Sequence, residues 1–288
     1  MNTARETPAF AAPENACDSH FHIFGDPKKY PYKSDLRYTP QVSTAEDYRE
    51  LAGLLGIKRM VTVQPSCFGA DNTCQLDAAA LYGVENCRVI VDVDESVTDK
   101  EMDLLHSQGA RGIRINVNPI QPLTAGLPES LLPKIAAMEA RCREFGWSLD
   151  FLFPDWLTTE MIPSLDKLRV PFTIAHLGMN KACNGTESRG FSRLLDLVKN
   201  GEGYAHLKLT APYRISLDPG YSDVIPLARA AFEAAPTRMV WGSDYPHASF
   251  GHHDTVKIFN LLLRIFPDER DRKTVLADNP AELYGFGK

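Results

Sequence analysis

The chain lacks any apolar run near the roughly 18 residues that a membrane-spanning helix needs, which excludes a helical membrane protein. Met1 to Asn15 is polar and rich in Pro and Ala, without the apolar core of a secretory signal. An excess of positive charge is also missing. Against 37 Asp and Glu stand 31 Lys and Arg, a formal net charge of -6, which excludes nucleic-acid binding by general phosphate attraction. Runs of like charge are short, so no basic arm or acidic tail stands out. The six cysteines, Cys17, Cys67, Cys74, Cys87, Cys142 and Cys183, form no C-x-x-C pair and are too few in 288 residues for a disulfide framework. Reduced, mostly buried thiols are expected. There is no G-x-S-x-G elbow, no P-loop and no H-E-x-x-H, and Gly201-Glu202-Gly203 is only a weak hint of a phosphate turn. A soluble cytoplasmic protein that handles a small molecule, with no nucleic acid and no membrane as partner, is the expectation these absences leave; the oligomeric state is left open.

What is present is alternation. Short apolar, β-branched runs recur at Cys17–Ile23, Arg59–Gln64, Arg88–Val93, Gly112–Asn116, Ser148–Phe153, Pro171–Ala175, Ala205–Thr210 and Met239–Gly242. Segments with helical periodicity fill the gaps, at Thr44–Leu55, Thr73–Tyr82, Asp99–Ser107, Glu129–Phe145, Thr158–Leu168, Phe191–Lys199, Tyr221–Ala234 and Thr255–Ile265. Ser43 or Thr44 with Glu46 or Asp47 offers a capping signal, and Gly56, Gly83, Gly109 and Gly146 offer stops. Eight strand–helix units predict a parallel sheet closed into a (β/α)8 TIM barrel. No linker interrupts them, so a single domain over residues 16–288 is expected behind a flexible tail over residues 1–15.

In such a barrel, chemistry collects at the C-terminal ends of the strands. The first strand ends Asp18-Ser19-His20-Phe21-His22, and histidines at i and i+2 face the same way. Their imidazoles can chelate a metal or hydrogen-bond a substrate oxygen. The sixth strand ends on His176 and the eighth on Asp244, so His20, His22, His176 and Asp244 are expected together at one mouth. Arg114 shares a face with Asn116; if that face points inward, Arg114 is a buried cation for a substrate carboxylate or, less interestingly, one half of an internal ion pair. Asp244 is the main anionic neighbour expected for Arg114 and Arg214. Tyr30, Tyr32 and Tyr38 lie in the long loop after the first strand, where they roof the site or pack the loop, and His252-His253 reads as a surface pair at a helix start.

The motifs Asp18-Ser19-His20-Phe21-His22-Ile23-Phe24-Gly25, His176-Leu177-Gly178, Trp241-Gly242-Ser243-Asp244-Tyr245-Pro246-His247 and Asn279-Pro280-Ala281-Glu282-Leu283-Tyr284 resemble the amidohydrolase superfamily. Gln64-Pro65-Ser66 and Arg111-Gly112-Ile113-Arg114 are similar to its branch of 2-pyrone-4,6-dicarboxylate lactonase and sugar-lactone hydrolases and isomerases. The resemblance implies a distorted barrel of amidohydrolase type and a hydrolase acting on a carboxylic ester bond, in which Asp244 is the general base. It further implies that His20, His22 and His176 line the carbonyl site and that Ser66, Arg114 and Arg214 bind substrate. Ile120 and Met179 stand where that lactonase is expected to carry arginines, and Leu152 stands near an expected tyrosine. A lactone with one carboxylate, or a sugar lactone, therefore fits better than the pyrone dicarboxylate.

No cofactor is favoured, and no strand lysine is assigned as a bridge in a binuclear centre. The alternatives are a lactone isomerase, a hydrolase or decarboxylase holding one zinc on His20, His22, His176 and Asp244, and, remotely, a non-catalytic binding protein.

Overall fold

The computed structural model describes residues 6–287. Eight parallel strands form one sheet in chain order: β1 (Cys17–Phe21), β2 (Arg59–Val63), β3 (Cys87–Val91), β4 (Ala110–Asn116), β5 (Ser148–Leu152), β6 (Phe172–Ile174), β7 (Ala205–Leu209) and β8 (Met239–Trp241). Between and after them run α1 (Ala45–Leu55), α2 (Thr73–Tyr82), α3 (Asp99–Ser107), α4 (Leu127–Phe145), α5 (Asp155–Leu165), α6 (Arg189–Asn200), α7 (Ile225–Ala234) and α8 (Thr255–Ile265), with short α9 (Glu269–Lys273) and α10 (Asn279–Tyr284) at the end.

The chain just after β8 closes the sheet onto β1. The Asp244 N–H donates to the His20 carbonyl at 2.8 Å, and the His22 N–H donates to the Tyr245 carbonyl at 2.8 Å. Gly242 makes that approach possible, because a Cβ there would lie 2.6 Å from the His20 nitrogen and 2.7 Å from the His20 Cβ. The result is the expected (β/α)8 barrel, and its seam brings Asp244 beside the histidines of β1.

Local rules explain most boundaries. Thr44 and Asp47 form a capping box on α1, which Gly56 ends in the left-handed region at φ 73°. On α6 the residues Phe191, Leu194, Leu197 and Val198 make one buried apolar face. Helix α4 starts at Leu127 and not Glu129, since Pro128 is accepted in a first turn. Helix α5 lies three residues earlier than expected because Pro154, extended at φ -60°, sets its start. Tyr221 is not helical, having φ 57°; a short turn over Ser222–Val224 leads into α7. Strand β6 stops at Ile174 because His176, Leu177 and Met179 all take positive φ and turn the chain across the mouth.

The expected tail falls partly outside the described residues, and residues 6–15 lie against the barrel. Phe10 stacks on Phe259 of α8 at 4.4 Å between ring centroids, and the Ala9 N–H donates to the Asn260 side chain at 2.7 Å. Five cysteines are buried, Cys183 is exposed, and all six are unpaired.

Candidate active site

The parallel register sets Arg114 opposite Asp150 and Asp150 opposite Thr173, across β4, β5 and β6. These side chains fill the barrel interior together with Lys208 of β7, which is fully buried. Lys208 Nζ lies 2.5 Å from Asp150 Oδ2, and Thr173 donates to the same oxygen at 2.7 Å. This corrects the expectation for Arg114. Its nearest acid is Asp150, with Nε 3.9 Å from Oδ1, while Nη1 donates to the Gln64 carbonyl at 2.5 Å. The guanidinium nonetheless lines the cavity above, so the internal ion pair and the site position coexist in one side chain.

One layer nearer the mouth lie His20, His22, His176 and Asp244, all buried. His20 Nε2 is 3.3 Å and His22 Nε2 3.4 Å from Asp244 Oδ1, and the His20 and His176 rings are 5.3 Å apart. The other oxygen of Asp244 is tied down: Tyr213 donates its hydroxyl at 2.5 Å, and Arg214 Nε stands 3.4 Å away. Burial alone would push the Asp244 carboxyl up, but Arg214, His176, His20 and His22 outweigh it and hold the group well below the usual carboxylate range. Burial pushes all three imidazoles down, His20 to about 3 with help from Lys208, so they are neutral near pH 7. His176 at φ 53° and Asp244 at φ 57° are non-glycine residues in the left-handed region, a conformation held where the surroundings enforce it.

A cavity of about 190 Å³ opens above this cluster, lined by His22, Tyr38, Ser66, Arg114, Arg214 and Asp244, with Ile120 and Leu152 as apolar walls. It is below the range of about 300–1,000 Å³ typical of drug-sized ligands. All seven residues singled out from the sequence thus meet at one mouth, with His20 and His176 just beneath the cavity. Tyr38 joins them from the long loop, and so does its neighbour, the exposed Arg37, which no motif in the sequence singles out. His253 is half-buried and no mere surface residue. It stacks on Tyr213 at 4.1 Å, and its Nδ1 lies 2.8 Å from the Tyr221 hydroxyl.

The alternation His206-Leu207-Lys208-Leu209-Thr210 was a usable signal for an inward Lys208, whereas Tyr213 follows a left-handed Ala211 and gives none.

His20 Nε2, His176 Nε2 and Asp244 Oδ1 lie within 4.8 Å of one another. Each is buried, and none has an aligned hydrogen-bond partner among the described residues. The three donors fit a single divalent ion by type and by this lack of partners. They could equally receive a substrate oxygen or a water.

Residues 17–286 match the family described as Amidohydrolase, and the chain belongs to it. Over 283 residues it is 34% identical to a 4-sulfomuconolactone hydrolase of Hydrogenophaga intermedia, covering 96% of this chain and 90% of that one. It is 30% identical over 288 residues to a 2-pyrone-4,6-dicarboxylate hydrolase of Comamonas testosteroni, covering 96% and 92%. An apo crystal structure from Agrobacterium tumefaciens superimposes with a TM-score of 0.85 at 28% identity, covering 98% of this chain and 99% of that one.

Proposed function

We propose that this protein hydrolyses a small lactone bearing an acidic group, with Asp244 as general base and no metal. The observation that carries the reading is the two-sided setting of Asp244. Oδ2 is fixed by Tyr213 and Arg214, while Oδ1 has no aligned hydrogen-bond partner and faces His20 and His22 below the cavity.

A water held at Oδ1 gives its proton to the carboxylate as its oxygen bonds to the lactone carbonyl carbon. The carbonyl π pair moves onto oxygen, where a histidine N–H stabilises it. Collapse reforms the carbonyl and breaks the ring C–O bond, and Asp244 returns the proton to the departing oxygen. Base catalysis contributes about 10²–10⁴-fold and each oxyanion donor about 10²–10³-fold. A carboxyl held so low is a weak base. An acidic substrate group beside Arg114 and Arg214 offsets the cations and brings Asp244 nearer to a useful strength.

Both hydrolase relatives are named for lactones with acidic substituents, which agrees with a cavity edged by Arg37, Arg114 and Arg214. Ser66 and Arg114 are the groups we assign to the acid, and Ile120 and Leu152 to the ring. Six unpaired cysteines suit a reducing cytoplasm.

Two other readings have specific support or a simple discriminator. The unpartnered donors favour a zinc held by His20, His176 and Asp244, with His22 beside it; such an ion would polarise the carbonyl as a Lewis acid. Isomerisation shares the same oxyanion and differs in its product. Turnover of a panel of acidic and neutral lactones, by protein analysed for metal and read by proton release and product mass, tests all three. Hydrolysis adds one water and releases a proton. An unchanged product mass, or activity that tracks zinc content, would replace the proposal.

A further inference from the structure

We propose that Lys208 sets the tautomer of His20, so that His20 offers the site an N–H at Nε2 while His22 offers a lone pair. Lys208 is fully buried inside the barrel, with Nζ 3.3 Å from His20 Nδ1 and 2.5 Å from Asp150 Oδ2. Burial opposes the charge of Asp150, but Lys208 first, then His20 and Arg114, outweigh it and hold the carboxyl below its ordinary value. Thr173 donates to the same carboxylate. Burial lowers Lys208 from its ordinary value, and the contact with an ionised Asp150 opposes that and favours the ammonium. An ammonium has three donors and no lone pair, so it can only donate to Nδ1. A neutral imidazole that accepts at Nδ1 carries its proton at Nε2.

His22 is set the other way. Its Nδ1 lies 2.6 Å from the Val63 carbonyl oxygen, which can only accept, so the proton is on Nδ1 and Nε2 is a lone pair. Two histidines on one face of one strand end are thus a donor and an acceptor.

The pair divides the work of the reaction proposed above, on which this reading of the roles rests. A water between Asp244 Oδ1 and His22 Nε2 has an acceptor for each of its protons. His20 Nε2–H is then a donor for the carbonyl oxygen, beside the unpartnered Nε2 of His176. The same arrangement weakens the hold of the donor set described above on a metal, because a ligating histidine almost always has an acceptor behind its other nitrogen and His20 has a cation there. Lys208 touches neither water nor substrate; it is a positioning residue.

The direct test is a long-range proton–nitrogen correlation spectrum of uniformly labelled, full-length protein near pH 7.5, with His20 and His22 assigned by the signals lost in His20→Gln and His22→Gln. Protonated Nε2 on His20 and protonated Nδ1 on His22 are expected; protonated Nδ1 on His20 overturns the proposal. This arm needs no substrate, so it fails separately from the lactonase reading. In Lys208→Met/Asp150→Asn, which removes the buried charge pair together, only Asp244 Oδ1, 3.3 Å from Nε2, still favours Nε2–H, and the share of His20 protonated at Nδ1 should rise. Zinc chloride titrated into that variant should bind at least tenfold more tightly than into wild type. With a lactone that wild type turns over, kcat should fall about 10–100-fold with KM within threefold. If the His20 tautomer and zinc affinity are unchanged in the folded double variant, Lys208 is only a structural ion-pair partner.

Discussion

The two ends of the barrel bury histidines on different terms. At the N-terminal end, His206 of β7 has both ring nitrogens occupied: Nδ1 lies 3.0 Å from the Tyr204 carbonyl and Nε2 3.3 Å from Arg238. Nearby, the Asn279 amide donates to the Pro236 and Met239 carbonyls at 2.8 and 2.7 Å. At the C-terminal end, His20 and His176 each use Nδ1 on the protein and leave Nε2 with no aligned partner, as Asp244 leaves Oδ1. A buried polar atom without a partner costs roughly 1–3 kcal/mol. One end is paired for stability. The other keeps unpaired groups where a ligand can meet them, which agrees with the position of active sites in this fold.

The largest effect that would sharpen this contrast is at Asp244. Asp244→Asn should lower kcat about 10²–10⁴-fold with the thermal midpoint kept or raised, as seen by steady-state kinetics and calorimetry. A variant within threefold of wild type would remove Asp244 from the mechanism.

Next comes Arg114→Met. Wild type should prefer acidic over neutral lactones by about 10–100-fold in kcat/KM, about 1.4–2.7 kcal/mol, and the variant should lose that preference. Equal loss on both substrate types would assign Arg114 to its Asp150 contact alone.

Tyr213→Phe removes the hydroxyl that fixes Asp244 Oδ2. Loss of a donor to the carboxylate raises its pKa, so the acid limb of kcat/KM should move to higher pH, while loss of the hydrogen bond that aims Oδ1 outweighs the gain in basicity and lowers kcat about 5–20-fold, in line with a charge-assisted bond of about 1.5 kcal/mol. An unmoved acid limb in the pH profile would contradict that role.

The smallest effect is at the paired end. Burial and Arg238 lower His206 from 6.5 to about 4. Its folded value lies below the unfolded one, so its contribution to stability is present above about pH 6.5 and is lost as the pH falls through about 4. His206→Gln should flatten the fall in thermal midpoint between pH 7 and 4 while leaving kcat within twofold. A large loss of activity would show that the two ends are coupled.

How much of this was legible in the sequence depended on range. Strand ends are local, so the period-2 spacing of His20 and His22 and the positions of His176 and Asp244 after apolar runs led to the mouth without a structure. The capping box at Thr44 was equally local. Lys208 and Asp150 were not legible as a pair: they lie on β7 and β5, and only barrel closure and register turn them toward each other. Tyr213 reaches Asp244 after a left-handed turn at Ala211, a conformation no pattern of residue types announces. The internal ion pair of Arg114 is an open alternative in the sequence, but its partner is not legible there, since the nearest acid is 36 residues away and in register on the adjacent strand.

If Asp244 activates water against a lactone without a metal, as proposed, then chelator-treated, metal-analysed protein should react with an acidic lactone in heavy-oxygen water in a single turnover at an undiminished rate, and the new carboxylate should carry one heavy oxygen. An unlabelled product, or activity lost to the chelator and restored by stoichiometric zinc, would contradict the proposal.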